Sequence, residues 1–187
     1  MSDEESSSNP QRKSSFFQNF LKNTEKTISS ISKDINRNFE KHVARSTIVN
    51  MLTNGAIIQL ISKQTNQCLS CYPNTGLDAK GTSSSKNPWT QFKVKKISSN
   101  MIFLRNLGLQ QENSYLTIYN GTLICTGAGD TSCTLVVSES SDHYIRFESR
   151  QLAKNYIAAS SHGSILPAQQ NPDDDCVKFS VKIVEDD

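Results

Sequence analysis

One pattern is written three times between residues 56 and 184, and its copies open with Ile58–Leu60 (IQL), Ile102–Leu104 (IFL) and Ile145–Phe147 (IRF). The opening isoleucines lie 44 and 43 residues apart. A sequence period of this length is typical of repeated supersecondary units. The repeat therefore predicts the fold, and each local motif is interpreted by its position in the repeat.

Each copy contains four predicted strands. Short stretches in which apolar and polar residues alternate are separated by Gly, Asn, Pro and Ser, which is typical of an all-β sandwich or barrel. The turn between the second and third strands contains Gly76, Gly121 or Gly163. Gly suits tight hairpin turns because it adopts a positive φ without a steric penalty. The sequence thus predicts an all-β fold of three equivalent units.

Three four-stranded units in this layout resemble the β-trefoil, a barrel whose bottom is capped by its remaining strands. The copies are most similar to the fascin, fibroblast growth factor, interleukin-1 and hisactophilin group. The ricin-type lectins are a poorer match because their Gln-x-Trp motif is missing at the comparable positions, Trp89–Phe92, Ser132–Leu135 and Cys176–Phe179. The resemblance implies a rigid scaffold whose loops bind other molecules.

The chain before the repeat divides into two parts. Residues 1–15 are polar and Ser-rich, so we expect a disordered tail. Residues 16–49 predict an amphipathic helix, and residues 50–187 the trefoil domain, with Asn50 to Gly55 as a hinge. The segment could pack its apolar face on the domain, pair with a partner helix as in a short coiled coil, lie on an anionic membrane surface, or remain mostly unfolded. Five residues form this face: Phe17, Leu21, Ile28, Ile31 and Ile35.

Bulk composition limits the function classes. The chain has 187 residues, a net charge of +2 and five cysteines. The small net charge argues against nucleic acid as a partner. We see no secretory signal and no apolar run long enough to span a membrane. Reduced thiols and a cytoplasmic or nuclear location are therefore expected.

No residue pattern predicts catalysis, a metal site or a cofactor. Cys68 and Cys71 have redox spacing, but residues three apart on a strand point to opposite faces, so Cys71 is predicted to be a small core residue. The three histidines show no nucleophile partner. Trp89 is predicted to lie in the core at the base of the barrel. We expect a protein that is not an enzyme.

The candidate binding surface is taken from what the repeat leaves unexplained, which is the long loop of the first copy, the basic end of that copy and the loop of residues 169–175. It comprises Lys80, Lys86, Lys93, Lys95, Lys96, Gln169, Asp173 and Asp174.

Three functions are compatible with these features. The first is a non-enzymatic intracellular module that binds a protein partner, with actin as the specific form that the fascin resemblance implies. The second is a leaderless secreted signal of the cytokine or growth-factor type with an N-terminal pro-segment. The third is a carbohydrate-binding trefoil.

Overall fold

The computed structural model describes residues 48–73, 76–111 and 114–184, which belong to one compact unit, Arg45–Asp187. These residues form an all-β domain with antiparallel pairing, as the sequence predicts. Three short 3₁₀ turns precede strands at Pro88–Thr90, Thr131–Cys133 and Asp175–Val177. The strands are β1 (Ile57–Ser62), β2 (Cys68–Tyr72), β3 (Gly76–Gly81), β4 (Phe92–Lys96), β5 (Met101–Asn106), β6 (Tyr115–Tyr119), β7 (Thr122–Gly127), β8 (Leu135–Glu139), β9 (Ile145–Ser149) and β10 (Phe179–Ile183).

Six of the strands pair in a closed ring. Strand β1 pairs with β10, β4 with β5 and β8 with β9, each over five aligned residues. Shorter pairings join β1 to β4, β5 to β8 and β9 to β10. The first and fourth strands of every sequence copy therefore form the ring, and the hairpins β2–β3 and β6–β7 branch from it.

The third copy departs from its prediction. In place of the predicted second and third strands, only isolated bridges occur, between Ala159 and Ile165 and between Tyr156 and Gln169. Pro167 lies in the middle of this segment. Because proline has no backbone N–H, it interrupts the ladder that a regular strand would need. The described residues consequently form ten strands, whereas the repeat predicts four in each copy.

The core fills the inside of the ring. Ile58, Ile102 and Ile145, the first apolar residue of each copy, are all buried. The fourth strands contribute residues such as Phe179, whose ring packs edge-on against Phe147 with centroids 6.2 Å apart. Alternate residues of a strand point to one face, which explains why the repeated pattern places these side chains inside.

The start of the domain is packed against this core. Residues 48–51 form one helical turn, Ile48 and Val49 contact the core, and Leu52 is 1% exposed. Gly55 N donates to Val94 O at 2.8 Å. Residues 50–55, predicted as the hinge into the domain, are thus packed against it. The predicted tail and the helix face Phe17–Ile35 lie outside the described residues. Within the described ranges, no helix is long and apolar enough to cross a membrane.

Candidate binding groove

A groove lies where the three copies meet at the hairpin end of the domain. Its volume is about 1040 Å³, and its walls include Leu77, Leu123 and Ile165, which are equivalent residues of the three third-strand segments. The segments are held together by hydrogen bonds from Ala79 N to Gly163 O (2.7 Å) and from Ala168 N to Gly121 O (2.7 Å). The groove is thus a product of the repeat and involves all three copies.

The described residues that line the groove carry no charge. Every described residue that lines it is neutral, and most are leucine, isoleucine, proline, cysteine or aromatic. The polar side chains among them are Gln110, Gln111, Thr122 and Thr126. An apolar cavity with a few hydrogen-bonding groups is the usual character of a ligand site.

One wall of the groove is an aromatic pair. The rings of Tyr72 and Trp89 lie with centroids 6.2 Å apart and planes inclined at 44°. Trp89 belongs to the turn Pro88–Thr90, where the side chain of Asn87 accepts a hydrogen bond from Trp89 N at 3.3 Å. Trp89 is half-buried and faces the groove, so its predicted place in the core is wrong. The turn ahead of β4 presents the indole at the rim of the barrel instead.

A loop after β5 forms the facing edge and is fixed by one buried side chain. Asn106 Oδ1 accepts hydrogen bonds from Gly108 N (3.0 Å) and Leu109 N (3.1 Å), and its Nδ2 donates to Trp89 O at 2.8 Å. Gly108 lies directly against the indole, and a Cβ at this position would collide with the ring. Asn106 and Gly108 therefore hold the loop and Trp89 together.

Two buried thiols form part of the floor. Burial and a hydrogen bond with Cys125 raise the pKa of Cys71 far above its ordinary value. The Cys125 thiol donates to Ser114 O at 3.4 Å. Cys71 therefore remains protonated at neutral pH. Both cysteines, which belong to adjacent hairpins, pack as small apolar side chains. The prediction that Cys71 is a core residue is confirmed, since it is 1% exposed.

The surface predicted from sequence lies elsewhere. None of its eight residues is among those that line the groove. Lys93 and Lys95 are exposed on β4, while Lys96 is half-buried on the opposite side of the strand. Lys80 lies on β3 and Lys86 in the following loop.

The acidic part of that surface contacts its own loop and the neighbouring strand β9. Asp174 Oδ1 accepts from Asn171 Nδ2 at 2.8 Å, and Asp173 lies 3.9 Å from the Arg146 guanidinium. Gln169 bridges Tyr156 through its backbone. Within the described residues, no hydrogen bond or ion pair joins any two of these eight side chains.

A four-charge cluster joins the first copy to the other two. Lys63 Nζ lies 2.8 Å from Asp142 Oδ2 and 2.7 Å from Asp175 Oδ1, and Lys178 Nζ lies 3.2 and 3.0 Å from the same two atoms. Hydrogen bonds from Lys63 and Ser140 hold the pKa of Asp142 well below its ordinary value. The two lysines and the two aspartates neutralise one another through these ion pairs. The cluster therefore links the segments of the fold that carry them.

Among residues 48–73, 76–111 and 114–184, no group of three or more His, Cys, Asp or Glu side chains is arranged to hold a metal ion. Comparison with known families and with curated proteins finds no family and no protein that matches this chain. The groove is therefore interpreted from its own geometry and chemistry.

Proposed function

We propose that the domain is a β-trefoil and that it acts as a non-enzymatic module that binds a protein partner through the groove at its hairpin end. The closed ring of six strands and the three equivalent hairpin segments support the trefoil assignment. The observation that carries the function is the uncharged groove of about 1040 Å³ with the Tyr72–Trp89 pair as one wall.

The chemistry of the lining favours an uncharged, apolar segment of a partner. A charged ligand group would lose its hydration in this groove and meet no opposite charge among the described lining residues. Large aromatic side chains supply much of the binding energy at protein interfaces when apolar groups cover them. Gln110 and Gln111 at the edge can hydrogen-bond an extended peptide backbone, which would fix the orientation of the segment.

A neutral carbohydrate is the second candidate, and the aromatic pair is the observation that favours it. Sugar rings stack on Trp and Tyr, and glutamine amides bind hydroxyl groups. The groove is, however, walled by leucine, isoleucine and proline, with four polar side chains among its described lining residues. A sugar buried there would leave many hydroxyl groups without partners, which costs binding free energy. We therefore place the protein partner first.

Actin is the specific partner that the fascin resemblance suggests, and an intracellular location belongs to the same proposal. Co-sedimentation of the full chain with actin filaments tests it directly. Trp89→Ala should reduce the co-sedimented fraction if the groove forms the contact.

The N-terminal segment 16–49 is proposed as a second contact, either with the partner or with a membrane surface.

Peptide selection with the full chain tests the groove. We expect selected peptides to be uncharged and apolar, and we expect Trp89→Ala to weaken their binding by about tenfold or more, as for the removal of an aromatic anchor. Tyr119→Ala is the matched control, because Tyr119 is 63% exposed and is not among the residues that line the groove. A glycan array probed with the native chain, Trp89→Ala and Tyr119→Ala tests the carbohydrate candidate. Trp89-dependent binding to neutral glycans, with no peptide bound, would refute the protein partner.

A further inference from the structure

A second surface lies on the outer face of the β4–β5 pair, and we call it the basic strip. It consists of Lys93 and Lys95 on β4 and Arg105 on β5. Lys93 is the direct cross-strand partner of Arg105, and Lys95 is the partner of Phe103. Directly opposed residues of antiparallel strands point to the same face, so the three cations project from one side of the barrel.

The basic strip has no counter-charge in the part of the chain that the structure describes. None of its three side chains forms a salt bridge or a side-chain hydrogen bond with a described residue. The Nε atom of Arg105 is buried and has no hydrogen-bond partner. Like charges that face each other across a strand pair destabilise the sheet. Among the described residues, Lys93 and Arg105 therefore face each other without a paired carboxylate, and an anionic partner would relieve their repulsion.

The rest of the strip is pre-arranged to receive such a partner. Lys95 Nζ lies 5.5 Å from the centroid of the Phe103 ring, which holds the ammonium group against the sheet. Phe103 is 7% exposed, and Tyr115 packs edge-on against it with centroids 6.0 Å apart. Lys95 therefore stands on a packed aromatic ring, which reduces the side-chain entropy that it loses on binding.

The spacing of the cations fits an extended peptide. Side chains two residues apart on a strand are separated by about 6.6 Å, and neighbouring strands by about 4.8 Å. An extended peptide with acidic residues at alternate positions repeats the first distance along one of its faces. The Arg105 guanidinium can bind a carboxylate through two parallel hydrogen bonds. We propose that the basic strip binds an extended acidic segment of a partner protein in which Asp or Glu occupies every second position.

Other anionic partners fit the basic strip less well. Single-stranded nucleic acid is held by exposed aromatic rings on which bases stack, whereas Phe103 is covered. Duplex binding draws on many more phosphate contacts than three cations provide, and the net charge of the chain is only +2. The proposal does not depend on the groove, because none of the three cations lines it.

The test measures binding of a fluorescent peptide of alternating Glu and Ser to the full chain by anisotropy at low salt. A block peptide of the same composition, with all Glu residues first, is the probe control. The strip variant replaces Lys93, Lys95 and Arg105 with Gln. The matched control variant replaces Lys80, Lys86 and Lys182 with Gln, which removes the same charge from other exposed positions.

We expect the alternating peptide to bind more tightly than the block peptide by about fivefold, the strip variant to lose about tenfold in affinity, and the control variant to stay within about twofold. Removal of the opposed charges should also leave the thermal midpoint of the strip variant equal to or above that of the native chain. Equal affinity for the two peptides, equal losses in the two variants, or no peptide binding would each overturn the proposal. So would strip-dependent binding to a sulfated oligosaccharide, or to vesicles of phosphatidylcholine and phosphatidylserine, that is tighter than binding to the peptide.

Discussion

The rings of Tyr72 and Trp89 face each other at 6.2 Å across the end of the first copy, with their planes inclined at 44°. The pair spans two parts of that copy, the end of β2 and the turn Pro88–Thr90. Its position at the rim places aromatic surface in an open groove whose described lining residues are all neutral. A concave, mostly apolar surface with a few polar groups is the usual character of a ligand site.

Gly108→Ala should disturb this wall without removing any groove side chain. The added Cβ would collide with the Trp89 ring, so the indole must move. Trp89 is the only tryptophan, and its emission reports the change. We expect a red-shifted emission maximum and weaker binding of groove peptides by about tenfold. An unchanged emission spectrum and unchanged affinity would show that the loop after β5 does not position the indole.

Leu52→Ala should destabilise the domain although it lies ahead of the first strand. Its side chain is 1% exposed and belongs to the core, so truncation leaves a cavity. We expect the free energy of unfolding to fall by about 2–5 kcal/mol, measured by urea denaturation. Met51→Ala is the control, since Met51 is 36% exposed, and should change stability by less than about 1 kcal/mol. Similar effects of the two changes would contradict the packing of this segment.

Gly121→Ala should lower stability through the backbone alone. Gly121 has a φ of 74° and Asn120 a φ of 48°, and a Cβ at Gly121 would meet no other atom within 4 Å. A non-glycine residue in this left-handed region costs roughly 1 kcal/mol, which urea denaturation should detect. Asn120→Gly supplies the contrast, because glycine adopts the same conformation freely. A loss at Asn120 as large as that at Gly121 would contradict the turn assignment.

Acid should destabilise the domain through the four-charge cluster. Hydrogen bonds from Lys63 hold the pKa values of Asp142 and Asp175 below their ordinary value of 3.8. A carboxylate with a lowered pKa in the folded state stabilises it fully above the ordinary pKa, and this contribution is lost as the pH falls through the lowered one. Thermal midpoints should therefore decrease below about pH 4.

Two variants assign that acid sensitivity. Asp142→Asn should lower the midpoint at pH 7 and flatten its decrease between pH 5 and pH 2, because one of the titrating groups is gone. Asp173→Asn should leave the profile unchanged, since the Asp173 side chain is 90% exposed and lies 3.9 Å from its nearest cation. Identical profiles for Asp142→Asn and the native chain would show that the cluster is not responsible.

The repeat predicts the scaffold because strand periodicity and core burial are local consequences of residue type. Ile58, Ile102 and Ile145 are buried as expected, and Asn120-Gly121 forms the predicted hairpin turn. The third hairpin is less regular than predicted because a single residue, Pro167, removes a backbone donor. That effect depends on register, which the repeat pattern alone does not specify.

The groove could not be predicted in the same way. The repeat accounts for the equivalent residues Leu77, Leu123 and Ile165 in its lining. Other lining residues, such as Tyr72 and Gln110, come from loops and strand ends far apart in sequence. Trp89 is a large aromatic residue of the type that usually fills a core, and only the turn Pro88–Thr90 places it at the rim. One sequence feature could have indicated the groove. Residues Leu107–Gln111 and the hairpin turns between second and third strands carry no Asp, Glu, Lys or Arg, whereas surface loops usually contain charged residues.

Trp89 emission, followed during a titration with an uncharged, apolar peptide selected on the full chain, tests whether the groove is the binding site. The peptide must cover the indole if it occupies the groove, so we expect a saturable blue shift whose midpoint equals the dissociation constant obtained from anisotropy of the labelled peptide. The peptide should bind Tyr119→Ala normally and Trp89→Ala at least about tenfold more weakly. The opposite result is a saturable anisotropy signal with no change in Trp89 emission and with unchanged affinity for Trp89→Ala. It would contradict binding in the groove, because the peptide would then bind elsewhere on the protein.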